Sequence, residues 1–286
     1  MKKSILAASA AAAVLLTTGC GAGQPPSSAA AFGNCALKGD TGTISLHPVQ
    51  SDTLVVATVL PNPGWWNGTS PDTVKDGFEY CMAADIAHRA GLSQVKVKNL
   101  AWDQFISGRA TDYDIAMASV TVTDERQNVF NFSRPYFSSN LGVVTRADGG
   151  VTEENIHNAK IGAVQGNAGG QWVAKVFKPS TPPSFFQNQT DMLTALRAGQ
   201  IDAFITDTTL ALTLTKDTGR RFVVAGQYSL DQSYGIVTPL GSVNTAPVDQ
   251  AVAAMEKDGT LDDLSRTYLK PMFGEDPKSI PFWSVK

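Results

Sequence analysis

The sequence predicts an α/β protein built as two similar lobes, each with a mainly parallel sheet. Short apolar runs of strand length alternate with amphipathic runs of helix length, the pattern of βαβ units. A partial internal repeat points to two lobes. "FISGRATDYDIAMASVT" (105–121) and "LRAGQIDAFITDT" (196–208) share a helix end, a glycine, a turn, an aspartate and a short apolar strand ending in polar residues. The length of 286 residues suits one large or two medium α/β domains.

Taken in order, "TLVVATVL" (53–60) is a continuous apolar run and predicts a buried strand, while the Pro-, Gly- and Asn-rich stretch at 61–72 predicts a loop. In "GFEYCMAADIAHRAGL" (77–92), Phe78, Met82, Ile86 and Ala90 recur every four residues, the spacing of an amphipathic helix. Asp85, His88 and Arg89 are expected on its wet face and Gly91 at its end. A strand at 95–100, a short helix from Trp102 to Gly108 and a strand at 114–120 follow. Residues 132–150 lead from an extended aromatic segment into a strand and a glycine turn, and 159–177 read as strand, Gly-rich turn and helix. The chain closes with a strand at 234–240 and two short helices within 247–269, broken at Gly259.

Composition excludes several classes of function. With 23 basic and 26 acidic residues and no Lys/Arg cluster, the chain has nothing to neutralise a row of phosphates, so no nucleic acid partner is expected. His47, His88 and His157 are scattered, and no Cys/His/Asp spacing suits a metal, so neither metal nor cofactor is expected. No Ser-His-Asp or Cys-His arrangement for nucleophilic catalysis is visible.

The N-terminus carries its own message. Lys2 and Lys3 precede an apolar run at 5–16 that is too short to span a bilayer comfortably, which is the layout of an export signal over residues 1–19. It ends in Leu16-Thr17-Thr18-Gly19-Cys20, which resembles a lipoprotein cleavage box with its leucine one step further out than usual. Cys20 is therefore expected to be lipidated, with residues 20–40 as anchor and flexible tether. Cys35 and Cys81 remain as an even pair in an oxidising compartment. Bridged, they would close a loop of about 46 residues worth roughly 3 to 4 kcal/mol; the alternative is two buried thiols.

Both copies of the repeat place polar side chains at the carboxyl end of a strand, Ser119 and Thr121 in one, Thr206 and Asp207 in the other. Open α/β sheets bind ligands at such ends, so two strand ends facing across a cleft would hold a ligand between the lobes. The hydroxyl-rich "ASVTVTDER" (118–126) ends in Arg126, whose planar fork suits a small anion. "GNAGG" lacks the spacing of a phosphate loop. Gly166, Asn167 and Ala168, entering a predicted helix, offer backbone N–H groups to a carboxylate instead.

Four segments in sequence resemble one family. "GFEYCMAADIA" (77–87), "SVTVTDERQNVFNFSRPYF" (119–137), "LRAGQIDAFITD" (196–207) and "AMEKDGTLDDLSRTYL" (254–269) are similar to motifs of the bacterial extracellular solute-binding proteins of polar amino acid ABC transporters. The resemblance covers about residues 50–270. It implies the periplasmic binding protein type II fold, with lobe 1 at 41–139 and 232–286, lobe 2 at 140–231, and a two-stranded hinge crossing near 137–140 and 231–234. It further implies that Arg126 binds a ligand α-carboxylate, that Ser119 and Thr121 add contacts, that Asp207 takes the α-ammonium from the opposite lobe, and that Trp102 packs on the ligand side chain. The partners implied are a small amino acid, an ABC permease and, through Cys20, the membrane; the protein itself is expected to be a monomer.

This chain departs from the pattern in places. Cys81 stands where an acid is usual. Thr58 stands where binders of cationic amino acids have an acid, which implies a small neutral or acidic amino acid or a derivative. "PNPGWW" (61–66) replaces an aromatic-Pro-Pro segment, so Trp65 and Trp66 form either an unusual pocket wall or protein core. Asn167-Ala168 stands where two hydroxyl residues commonly cap the carboxylate. A few proteins of this fold resemble cyclohexadienyl dehydratases, and such an enzyme would need Asp207 as its acid or base. An acid bonded to an ammonium is held ionised, so a binding protein is the expectation and an enzyme the alternative.

Overall fold

The computed structural model describes residues 32–285. The predicted export signal, Cys20 and the first part of the tether lie outside the described residues. One half of the sheet is built on β1 (Thr53–Thr58), whose six residues are all buried, as a run of Val and Thr flanked by parallel neighbours requires. It pairs in parallel with β2 (Gln94–Asn99) and with β3 (Ile115–Ala116). The other half repeats the plan, with β5 (Ile161–Val164) parallel to β6 (Ser184–Phe186) and to β7 (Ala203–Asp207).

Two long antiparallel strands join the halves. These are β4 (Phe130–Arg146) and β8 (Phe222–Pro239), and they make one sheet of order β2-β1-β3-β8-β4-β7-β5-β6. The resemblance places two crossings at 137–140 and 231–234; both lie inside these continuous strands. Register shifts between Phe132 and Pro135, Pro135 and Phe137, and Ser139 and Leu141 interrupt the ladder at the passage from one half to the other. Such irregularities bend and twist a strand pair.

Helices cover the sheet. In the first half these include α1 (Phe78–Arg89), α2 (Trp102–Ile106) and the single turn α3 (Asp124–Gln127). The second half contributes α4 (Ala168–Trp172), which runs on into a wider turn to Phe177, then α5 (Gln189–Arg197) and α6 (Thr208–Thr215). The chain then returns to the first half with α7 (Thr245–Lys257) and α8 (Thr260–Leu264), separated at Gly259. The sequence repeat survives as geometry. α2 and α5 each stop at a left-handed glycine, Gly108 at φ 68° and Gly199 at φ 71°, before β3 and β7 begin. An L side chain at either position would be strained.

The structure corrects the expected wet face of α1. Only His88 is partly exposed there. Asp85 and Arg89 are buried as an ion pair at 2.6 Å, because the segment at 38–44 lies over them: Asp85 accepts from the backbone N–H of Lys38 and Gly39, and Arg89 also reaches Asp258. The same segment is fastened by a disulfide between Cys35 and Cys81.

A third link between the halves was not foreseen. Beyond α8 the chain passes between Gly64, whose Cα faces Met272, and Lys216 of the second half, whose Nζ donates to the Pro271 carbonyl. It then runs beside β8, where Phe282 bridges Gln227, the Gln227 amide donates to the Pro277 and Ile280 carbonyls, and Trp283 covers Gly226 and Tyr228.

Candidate functional site

A cavity of about 690 Å³ opens between the two halves at the carboxyl ends of β1, β3 and β7. Of the predicted residues, Trp102, Ser119, Thr121 and Arg126 line it from one side, and Asn167, Ala168 and Asp207 from the other. Gly166 is not in the lining, but its carbonyl touches the site through Arg126.

Arg126 sits in α3, a turn started by Thr123, whose hydroxyl accepts from the Arg126 N–H. Its guanidinium is buried, with 4% exposure, and is aimed by two carbonyls: Nη1 donates to Thr121 at 2.7 Å and Nη2 to Gly166 at 3.1 Å. It lies 5.5 Å from the Trp102 ring centroid, a cation–π contact. Burial lowers its pKa to about 10, while Asp207 pulls it back, so it stays charged at neutral pH. A guanidinium has five N–H donors. Two go to these carbonyls, and the guanidinium makes no other hydrogen bond among the described residues, so three N–H donors are left for an anion.

Asp207 ends β7 with 6% exposure and stands directly before α6, yet its side chain does not cap that helix. It accepts instead from the Gln232 amide of β8. Burial raises its pKa to about 6, with the Tyr234 hydroxyl and the Arg126 guanidinium acting to lower it. A buried cation and a buried anion thus face one cavity from opposite halves. Each is only partly compensated by protein, the condition under which a zwitterion gains from entering.

Ser119 and Thr121 hold this arrangement in shape. Ser119 adopts φ 52°, outside the extended region, which ends the predicted strand 114–120 early. Its N–H donates to Glu79 Oε1 at 2.7 Å and its hydroxyl meets Asn62 at 3.5 Å. Thr121 bridges Tyr234 of β8. Asn167 is spent locally: it accepts from the Gly170 N–H as the cap of α4, so the wall it offers is mainly backbone. Trp102 donates from Nε1 to the Gln165 carbonyl at 3.2 Å, a second contact between the halves.

Trp65 and Trp66 do not line the cavity. Both are fully buried in the core of the first half. Trp65 packs edge-on against Phe78, Phe137 and Tyr234 at 5.0–5.6 Å between centroids, and Trp66 donates to Glu79 Oε2 at 2.6 Å. Two indoles gain more from this aromatic cluster than from a wetted wall.

Two residues escaped the sequence reading. Glu79, fully buried and raised above the usual carboxylate range by burial, collects donors from Tyr136, Trp66 and Ser119, and so ties the loop after β1, the end of β3 and β4 together. Its signal is an acid at the start of an otherwise apolar helix. Gln232 had none, being one polar residue of a long strand. Among the described residues no group of three or more His, Cys, Asp or Glu side chains is placed to hold a metal ion.

Known proteins resemble this chain in sequence and in fold. The profile of the bacterial extracellular solute-binding proteins, family 3, matches residues 55–271. The L-cystine-binding protein TcyJ of Escherichia coli (strain K12) is 29% identical over 205 residues, covering 70% of this chain and 75% of that one. Among solved structures, an ancestral arginine-binding protein bound to arginine superposes with a TM-score of 0.66 at 27% identity, covering 76% of this chain and 98% of the other. An ancestral amino acid-binding protein described as a precursor of cyclohexadienyl dehydratase gives 0.66 at 24% identity over 76% and 95%, a likeness of fold alone.

Proposed function

Since the chain belongs to the bacterial extracellular solute-binding proteins, family 3, we propose that it captures a polar amino acid or close derivative outside the cytoplasm and hands it to the permease of an ABC importer. In this reading Cys20 carries the lipid that holds the protein at the membrane. The observation that carries the proposal is the opposed pair of buried charges, Arg126 at 4% exposure and Asp207 at 6%, lining one cavity from two halves. Arg126 takes the α-carboxylate through its free donors, and Asp207, held by Gln232, takes the α-ammonium. Trp102 lies against the side chain. Because each half supplies one charge, full affinity exists only when the halves are shut, and the shut state is what a permease can recognise.

One observation favours a second reading. A carboxyl raised to about 6, as at Asp207, is suited to proton transfer near neutrality, which a dehydratase acting on a prephenate-like acid would need. Thermal denaturation of the purified domain with single amino acids, amino acid derivatives and prephenate separates the two. A ligand at ten times its Kd adds roughly 1.4 kcal/mol and raises Tm by a few degrees. A shift with an amino acid supports capture, whereas consumption of prephenate with no amino acid shift supports the enzyme.

A further inference from the structure

The third link between the halves is built as a brace. α8 runs on through a wider turn, Ser265–Leu269, into a last helical turn, α9 (Lys270–Phe273). α8 and the wider turn pack on α1 of the first half, whereas α9 packs on α6 of the second. The handover leaves no slack. Met272 fills the space beside Gly64, where a Cβ would meet its Cγ at 2.9 Å, while the neighbouring Pro271 carbonyl accepts from Lys216 Nζ at 2.6 Å. Adjacent residues are thus held by opposite halves, and a chain with about 3.8 Å between consecutive Cα atoms cannot follow both when the halves move apart. The core is shared at the same place. Phe273 and Ile280 belong to one buried apolar cluster with Phe78 and Met82 of the first half and Leu212 and Val224 of the second. Drawing the halves apart wets that cluster, which the hydrophobic effect opposes.

Beyond α9 the tail reaches toward the site through one side chain. Gln227 of β8 is fully buried, and all four hydrogen-bonding positions of its amide are taken. Nε2 donates to the Pro277 and Ile280 carbonyls of the tail, both at 2.9 Å. Oε1 accepts from the Thr208 hydroxyl at 3.1 Å and from the Asn140 amide at 3.3 Å. Thr208 directly follows Asp207, and Asn140 lies where β4 crosses between the halves. The backbone of Gln227 is held as well: its N–H donates to the Pro281 carbonyl and its carbonyl accepts from the Trp283 N–H, each at 2.8 Å. Residues 272–285 lie beyond the stretch that the family profile matches, and neither Gln227 nor any residue of 270–285 lines the cavity.

We propose that residues 270–285 are a brace that holds the two halves in the shut arrangement and, through Gln227, keeps the start of α6 and the neighbouring Asp207 in place. The inference rests on the reading of the site as a cleft that captures ligand by closing, and adds a control on that closing. Apparent affinity scales with the fraction of molecules in the competent state, so a brace that shifts this fraction sets affinity without touching the ligand.

Three variants test this: a chain ended after Gly274, Trp283→Ala, and Lys216→Met, whose position is exposed. Small-angle X-ray scattering reads the dimensions of each ligand-free protein, and calorimetric titration with L-arginine, L-glutamine and L-glutamate reads affinity. Each folded variant is expected to have a larger ligand-free radius of gyration than the wild type and to contract to the wild-type value at saturating ligand. If about one shortened molecule in ten is shut, the tightest of the three probes binds it about tenfold more weakly. A folded shortened chain with wild-type dimensions, or with wild-type affinity, overturns the proposal even if its Tm falls, because a merely structural tail would lower Tm alone. Should the shortened chain fail to fold, the same two readings on Lys216→Met and Trp283→Ala decide. Failure of all three probes to bind the wild type counts against the amino acid reading, while the scattering comparison still decides the brace.

Discussion

Acidification should weaken the grip on an amino acid through one group, Asp207. Its carboxyl titrates at about 6 in the free protein because burial disfavours the charged form. A ligand ammonium requires the ionised form, so binding lowers this pKa and, below pH 6, displaces a proton. At pH 7 about nine-tenths of Asp207 is ionised, and at pH 5 about one-tenth, so affinity should fall about tenfold across that window, or roughly 1.4 kcal/mol. Above pH 7 it should level off. Titration calorimetry at pH 7, 6 and 5 in buffers of different ionisation enthalpy reads both the affinity and the proton released. Asp207→Asn should bind more weakly at pH 7 and lose the pH dependence. Constant affinity of the wild type between pH 7 and 5, with no proton released, would refute the assigned contact.

Arg126→Ala should leave a ligand carboxylate buried without its cation and cost about 2–5 kcal/mol of affinity, measured by the same titration. The two tryptophan classes should separate: Trp65→Ala, in the core, should cost about 3–5 kcal/mol of stability in denaturant unfolding with affinity nearly unchanged, whereas Trp102→Ala should lose affinity with little change in stability. Replacing Cys35 and Cys81 by serine should remove about 4 kcal/mol in the chain-entropy account and lower Tm by roughly 10 °C, which a reduced and an oxidised melt also compare.

Much of this was legible in the sequence because it rests on local pattern. β1 is a run of strand formers, α1 has a four-residue apolar spacing, and the repeat around Gly108 and Gly199 fixes where two strand ends lie. Asp207 was readable because it ends such a strand, and Arg126 because it closes the hydroxyl-rich run 118–126. What escaped depends on contacts between distant segments. Asp85 and Arg89 look like a wet face until residues 38–44 cover them. Trp65 and Trp66 sit in a loop whose composition says nothing of the cluster that Phe78, Phe137 and Tyr234 form around it. Gln232 matters only because β8 passes beside Asp207, and the third link between the halves depends on where the chain runs after α8. Strand periodicity cannot reveal such neighbours, since pairing partners far apart in sequence leave no local mark.

The central claim is that two buried charges on opposite halves read the two charges of one amino acid. Its most direct test is a calorimetric comparison of the best-binding amino acid with its methyl ester and its N-acetyl derivative, each of which removes one charge without altering the protein. The account predicts that each modification weakens binding by at least a hundredfold, and that Arg126→Ala no longer distinguishes acid from ester. An ester or acetyl derivative that binds the wild type as tightly as the parent would contradict it.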